Sequence, residues 1–434
     1  MRWRRVAGVV ARRKSPVWSR LHLSRISWSL VDQGLVSGGT FLLNVILARG
    51  LSAGDYGVFA LLFGGMLTLQ LLNTTLIIHP LSVRLVTTNP EDQPRLLTAS
   101  LILTSVMSLG LGAVLALIVA LLGWRELVLP SLACFLLWQV QEGMRRGLLA
   151  IFRFQAAALG DAVSYIGQIL VVAGLASMDS LTLDDAFYGM AVTSGLAAAG
   201  QALQLRLRYR GPLRLRATIA DYWSIGGGWA LGNGLLLHGR AQILLWGLAI
   251  TSGAAAVAAF QAVLNVVNLA NPIMLSLCNI IPPTASEARS KGLAAAWRAA
   301  RTYALIAAPP ILAYAIIVMA VPETMLWLLY GSNSSYLGLS TVLRLLVLAT
   351  LLGYAADVVA AFLHGVSAVR LAFLIAAMGA VATAVIAVPL IGLLGVVGLC
   401  LTQLGANLAR LVTSRIALVR LIGSAPPAPA PRPI

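Results

Sequence analysis

Few residues in this 434-residue chain could do chemistry, and they sit where charge is costly. Arg240 lies within the apolar run 224–249, Asp357 within 340–363, and Asp32 one turn into 28–48, which Arg49 closes. An ionisable side chain at the centre of a membrane helix costs about 2.5–3.5 kcal/mol on insertion scales, so each is a functional candidate. A guanidinium meets an anionic headgroup through two parallel hydrogen bonds, and Arg240 and Arg49 are the candidates for that role. A carboxylate in the same setting takes up a proton or a sodium ion, which makes Asp32 and Asp357 candidates for ion coupling. The plain alternatives are an arginine that snorkels to the interface and a carboxylate that pairs with an arginine to serve folding. Asn44, Gln70, Asn73, Asn233, Asn265 and Asn268 either line a cavity that takes a polar substrate or hydrogen-bond between helices. His238 and His364 titrate near neutral pH but lie near helix ends, where a structural role is the simpler reading.

No catalytic constellation accompanies these residues. There is no phosphate-cradling glycine loop followed by Lys and Ser or Thr, so ATP hydrolysis by this chain is not expected. Cys134, Cys278 and Cys400 lie far apart in apolar runs and read as packing residues; no metal, cofactor or disulfide framework is expected. Asp179, Asp184 and Asp185 read as a solvated acidic loop, and Pro322 to Leu339 is the longest stretch expected on that side. An enzyme is therefore not expected; a polysaccharide ligase or polymerase would need a larger extracytoplasmic loop.

The elements that must position these residues are membrane helices. Hydrophobic residues make up 59% of the chain and charged residues 10%, with a mean hydropathy of +0.89, whereas a soluble domain carries about 25% charged residues. A span needs about 20 apolar residues. Twelve runs meet that: 28–48, 57–78, 97–122, 127–149, 160–177, 185–204, 224–249, 254–280, 302–321, 340–363, 369–389 and 393–416. The net charge of +17 is distributed as topology rather than as a nucleic-acid surface. All but four of the 31 Lys and Arg fall on the side of both termini, the exceptions being Arg49, Arg125, Arg240 and Arg344. Both termini are therefore expected to be cytoplasmic. The expected organisation is a basic arm over 1–27, a six-helix lobe over 28–204, a basic linker over 205–223, a second six-helix lobe over 224–416, and a proline-rich tail over 417–434. The arm lacks a cleavage site and reads as topogenic charge, and the tail as disordered.

The halves correspond weakly. WSLVDQGLVSGG from Trp28 sets against WSIGGGWALGNG from Trp223, YGVFAL from Tyr56 against VAAFQA from Val257, and HPLS at His79 against IPPT at Ile281. An even number of spans per half makes the repeats parallel about an axis along the membrane normal, and such halves enclose a central cavity. The pairs Gly34 with Gly38 and Gly228 with Gly232 are expected to let helices approach closely. The run GGGWALGNG from Gly226 is expected to make the start of the seventh span pliable.

The stretch DQGLVSGGTFLLNVILARGLSAGDYGVFALLFGG, Asp32 to Gly65, resembles the opening of polysaccharide-transport proteins of the Wzx type, within the multidrug, oligosaccharidyl-lipid and polysaccharide (MOP) exporter superfamily. A helix with small residues leads there to an Arg, a Leu-Ser-x-x-x-Tyr-Gly turn and an apolar second helix. The resemblance implies an all-α flippase in the bacterial inner membrane. It would move undecaprenyl-pyrophosphate-linked oligosaccharide outward by alternating access, for surface polysaccharide biosynthesis. A polysaccharide polymerase and glycosyltransferases would be working partners, along with the lipid bilayer, and no nucleic acid. Substrate contacts would then fall to Arg240, Arg49, Asn44, Asn233 and Gln70, and ion coupling to Asp32 and Asp357. The rival within the superfamily is a multidrug or cation antiporter.

Overall fold

The computed structural model describes residues 16–205 and 212–423, all helix and short connections, with no strand among them. The basic residues before Pro16 and the proline-rich tail from residue 424 lie outside the described residues.

The first lobe comprises α1 (Pro16–Gly50), α2 (Ala53–Asn73, continued through a π-helical turn into His79–Thr87), α3 (Gln93–Leu121) and α4 (Val128–Ala150). It is completed by α5 (Phe154–Asp161, a π-helical turn, then Gly167–Ser177) and α6 (Leu183–Leu205). A short helix, α7 (Leu215–Gly226), leads into the second lobe: α8 (Trp229–Ser252), α9 (Ala254–Val267, a 3-10 turn, then Asn271–Ala288), α10 (Leu293–Ala320), a short α11 (Pro322–Tyr330) and α12 (Ser340–Gly365). The last helical stretch, Val369–Gly423, is two helices meeting at Gly395, here α13 (369–394) and α14 (396–423). The backbone of Gly395 (φ 56, ψ −125) is one that a side chain opposes.

Nine helices among the described residues are long and apolar enough to cross a membrane. That number takes α13 and α14 as one and omits α6 and α8, whose polar residues lower their hydropathy. With these restored the protein has the twelve spans read from the sequence, in two lobes of six.

Local chemistry sets the boundaries. Ser52 caps α2, its hydroxyl accepting the backbone N–H of Asp55 at 3.1 Å. Thr182 and Asp185 cap the start of α6 reciprocally, which accounts for part of the acidic loop. The expected pliable glycine run is a true break: α7 ends at Gly226, and Gly228 (φ 61, ψ −119) turns the chain into α8. The linker holds more than charge, since Tyr222 of α7 is buried against Ser100 of α3, hydroxyl to hydroxyl at 2.7 Å. The long stretch after α10 contains α11, which buries Leu326 and Tyr330.

The cores show how the lobes meet. One apolar core joins both lobes and draws on the end of α1, the starts of α2, α4 and α6, the end of α8, and the starts of α9 and α12. All of these ends lie at the face opposite the termini. At the termini face the cores are separate: one among the ends of α9 and α12 and the starts of α10 and α13, another among α2, α3 and Tyr222, and a third among α4, α5 and α6. The lobes are sealed together at one face and separate at the other.

The seal is backbone-close. A Cβ on Gly57 of α2 would overlap the carbonyl of Ala254 of α9. Asn265 of α9 donates to the Tyr56 hydroxyl at 2.9 Å, and Tyr330 of α11 donates to Ala262 O at 2.9 Å, which gives the seam a polar thread. The expected glycine pairs do not act this way. Cβ atoms on Gly34, Gly38, Gly228 and Gly232 would meet nothing within 4 Å: the first two and Gly232 are turned away from neighbouring helices, and Gly228 lies in the break before α8.

Candidate functional site

Each lobe carries an ion cluster in its half nearer the termini, buried in the first lobe and partly open in the second. In the first lobe, helical spacing on α4 puts Glu142, Arg145 and Arg146 on one side. Arg145 is the hub: Nη2 donates to Asp32 of α1 at 2.6 Å, Nε to Asp161 of α5 at 2.5 Å, and Nη1 to Glu142 at 3.2 Å. Glu142 also accepts from Arg146 at 2.5 Å. Asp32, Glu142, Arg145 and Asp161 are all buried, with Asp161 fully so. Asp161 stands immediately before the π-helical turn of α5, whose Ser164 donates to Gln141 at 3.1 Å. The Asp32 Oδ1 atom is buried without a hydrogen-bond partner.

Beside this cluster is a cavity of about 210 Å³ whose wall includes Thr40, Phe63, Gln70, Trp138, Arg145 and Arg146. Three carboxylates face two guanidinium groups here.

The second lobe inverts the balance. Arg410 of α14 pairs with Asp357 of α12 through Nη2 and with Asn407 through Nη1 at 3.2 Å. Asn407 is held in turn by Ala349 O at 2.8 Å. Arg240 of α8 lies against the same group: a Cβ on Gly379 would sit 2.6 Å from Arg410 Cγ and 3.5 Å from Arg240 Nη1. The one carboxylate here pairs with Arg410 alone, and Arg240 Nη1 is buried without a partner among the described residues.

The residues singled out from sequence are distributed unevenly. Gln70 is at the first-lobe cavity, and Asp32 and Asp357 each stand in an ion cluster. Asn233 is half-buried on α8, next to Gly234, which abuts Leu71 of α2. Asn44 is buried in the seam, where its amide donates to Thr40 O at 2.9 Å and its carbonyl accepts from Tyr56. Arg49 does not face Arg240 across a cavity. It donates to the carbonyls of Leu328 and Leu329 that end α11, on the sealed face, because it closes α1 at the opposite end from the clusters. Asn73 donates to Ser108 between helices, Asn268 is exposed, and Arg344 donates to Met319 O at the end of α10. Sequence reading passed over Arg145, Arg146, Glu142, Asp161 and Arg410. The available signal was acid and base at helical spacing inside a span; Arg145 and Arg410 read instead as retained charge beside the membrane.

The full-length likeness is to transporters. The inward-facing conformation of a multidrug resistance MATE family transporter of the MOP superfamily superposes with a TM-score of 0.73 at 15% identity, over 92% of this chain and 99% of the other. The fold is that of MOP transporters. Lipid II flippase MurJ, in its inward closed conformation, gives 0.72 at 11% identity, over 92% of this chain and 88% of its own. An outward-facing MATE transporter conformation gives 0.61 at 14% identity, over 91% and 94%. No protein-family profile and no curated sequence matches the chain.

Proposed function

We propose that this protein is a flippase for an anionic lipid-linked oligosaccharide, with undecaprenyl pyrophosphate as carrier, working in the bacterial inner membrane with both termini cytoplasmic. The observation that carries the reading is the surplus of guanidinium in the second lobe, where Arg240 stands near Arg410 and the one carboxylate, Asp357, is paired with Arg410. A pyrophosphate supplies the charge this arrangement lacks, in a low-dielectric setting where charge-assisted hydrogen bonds are strong. Arg146 and Gln70 offer the headgroup and its sugars polar contacts from the other lobe, with Asn233 on α8. With the termini in the cytoplasm, the parted face receives substrate from that side, and rocking of the lobes about the seam passes it across. Asp32 and Asp357 are the coupling carboxylates in this reading: each is bound by an arginine, and a proton or substrate that takes either partner releases the other.

The test is mass spectrometry of membrane lipids from cells carrying wild-type protein, Arg240→Ala or a deletion. Complete, unpolymerised lipid-linked repeat units should build up in both mutants. Normal lipid intermediates in the deletion strain would reject the reading.

A second reading is favoured by the first lobe, where three carboxylates outnumber two guanidinium groups. That surplus suits a cation, as in a cation-coupled multidrug antiporter. Sensitivity of the deletion strain to cationic dyes with surface polysaccharide intact would select it.

A further inference from the structure

Four buried hydrogen-bonding atoms in the second lobe have no partner among the described residues, the acceptor Gln242 Oε1 and three groups able to donate: Arg240 Nη1, Arg410 Nε and Ser414 Oγ. The three donors are neighbours: a Cβ on Gly379 would lie 2.7 Å from Arg410 Cδ and 3.5 Å from Arg240 Nη1, and Ser414 follows Arg410 by one turn of α14. Arg410 is 6% exposed and Ser414 fully buried, so bulk water does not satisfy them. Buried donors are almost always paired, and a guanidinium is a costly donor to leave unpaired. The other two Arg410 nitrogens each have a partner, Nη2 in Asp357 and Nη1 in Asn407, which fixes the guanidinium plane and leaves Nε as the nitrogen with none. Two like charges are thereby held together with a single carboxylate, and each of the three neighbouring groups is able to donate.

We infer that Arg240, Arg410 and Ser414 form a dehydrated oxyanion site in the second lobe, whose ligand is a phosphoryl group. Three donors from two helices suit a tetrahedral oxyanion, and Gly379, lacking a side chain, leaves the two arginines room to approach it. Arg240 is only half-buried and is the side through which the phosphoryl group enters; Arg410 and Ser414 form the floor. The identity of that phosphoryl group as the substrate's own rests on the flippase reading, whereas the site itself does not. A free phosphate or pyrophosphate offers the same oxygens.

The experiment is thermal unfolding of the purified full-length protein in detergent, with inorganic pyrophosphate or undecaprenyl pyrophosphate as probe. Wild-type, Arg240→Gln and Ser414→Ala are compared. Without a probe, Arg240→Gln should unfold no lower than wild-type, since it removes an unpaired charge, and this shows that the variant folds. With a probe, the wild-type midpoint should rise, and Arg240→Gln should need about tenfold more ligand for the same rise, the loss of one charge-assisted hydrogen bond. Ser414→Ala should weaken binding by a smaller factor. Stabilisation by the lipid alone would assign the site to the substrate headgroup, and stabilisation by the inorganic ion alone to a free anion; both uphold the site. The second outcome, with normal lipid intermediates in the deletion strain, would reject the flippase reading while leaving the site standing. No shift with either probe, or equal shifts in all three proteins, would overturn the proposal.

Discussion

Arg49 and Leu329 tie the lobes together: the guanidinium that ends α1 donates from Nε to the Leu329 carbonyl at 2.5 Å and from Nη2 to Leu328 O at 3.0 Å. The last turn of a helix leaves carbonyls unsatisfied and carries partial negative charge, so a cation there both pairs and caps. The protein's own thiols report on this clasp. Cys134 and Cys400 are fully buried in the joint core, while Cys278 is exposed. Arg49→Ala should speed alkylation of Cys134 and Cys400 about fivefold, which corresponds to about 1 kcal/mol of lost closure, and leave Cys278 unchanged. Unaltered rates at the two buried thiols would show that the apolar seam holds without the clasp.

Gly57 should be the least replaceable glycine of the seam. A valine there collides with the Ala254 backbone, which cannot move aside as a side chain can. Overpacking of this kind costs about 1–3 kcal/mol, read as a lowered unfolding midpoint in detergent. Gly34→Ala and Gly38→Ala meet open space and should stay within about 0.5 kcal/mol of wild-type. A large loss at Gly34 with none at Gly57 would reverse this account of the seam.

Removing the hub of the first-lobe cluster should be severe. Arg145→Leu strands Asp32 and Asp161 as buried carboxylates and leaves Glu142 with Arg146 alone, at a cost of about 3–5 kcal/mol. Expression and unfolding midpoint measure it. Asp32→Asn keeps the shape and removes one of three negative charges, so its loss should be clearly smaller.

The attachment of α7 should depend on pH from one side only. Burial pushes the Tyr222 hydroxyl up to about 12, from the ordinary 10. The folded state therefore keeps the proton after the unfolded chain has lost it. Stability from this residue is complete below pH 10 and falls as pH rises through about 12. The difference in unfolding midpoint between wild-type and Tyr222→Phe should be flat up to pH 10 and then shrink or reverse; a difference that shrinks below pH 8 instead would remove Tyr222 as the cause.

Hydropathy made the twelve helices and two lobes legible, because the bilayer imposes one length and one solvent on every span. Rotation about a helix axis was not legible, and most of the site depends on it. The glycine pairs have the spacing of a helix contact, yet the close approaches are at other glycines, among them Gly57 and Gly365, whose Cβ would overlap Pro282 O. Arg145 and Arg410 lie near span ends, where charge counts for topology, so their role as hubs emerges only when Asp161 and Asp357 are brought from other helices. α7 was hidden in a basic linker because a helix of 12 residues buries only one face and carries no hydropathy signal. Asp32 and Arg240 were legible because an isolated charge amid apolar residues needs no partner in sequence to be conspicuous.

The joint core also acts as an electrical insulator. Water that enters between the parted halves brings the potential of its own compartment up to the seam, so Asp32, Arg145 and Arg240 sit near the voltage of that side. The membrane potential then falls mainly across the apolar layer between Leu43 and Leu343 rather than across the whole bilayer. Each net charge carried past that layer experiences nearly the full field, about 2.3 kcal/mol per 100 mV. In the proposed flippase, whether a doubly charged headgroup crosses outward alone or with protons on Asp32 and Asp357 therefore decides whether an inside-negative membrane voltage drives the step or leaves it unaffected.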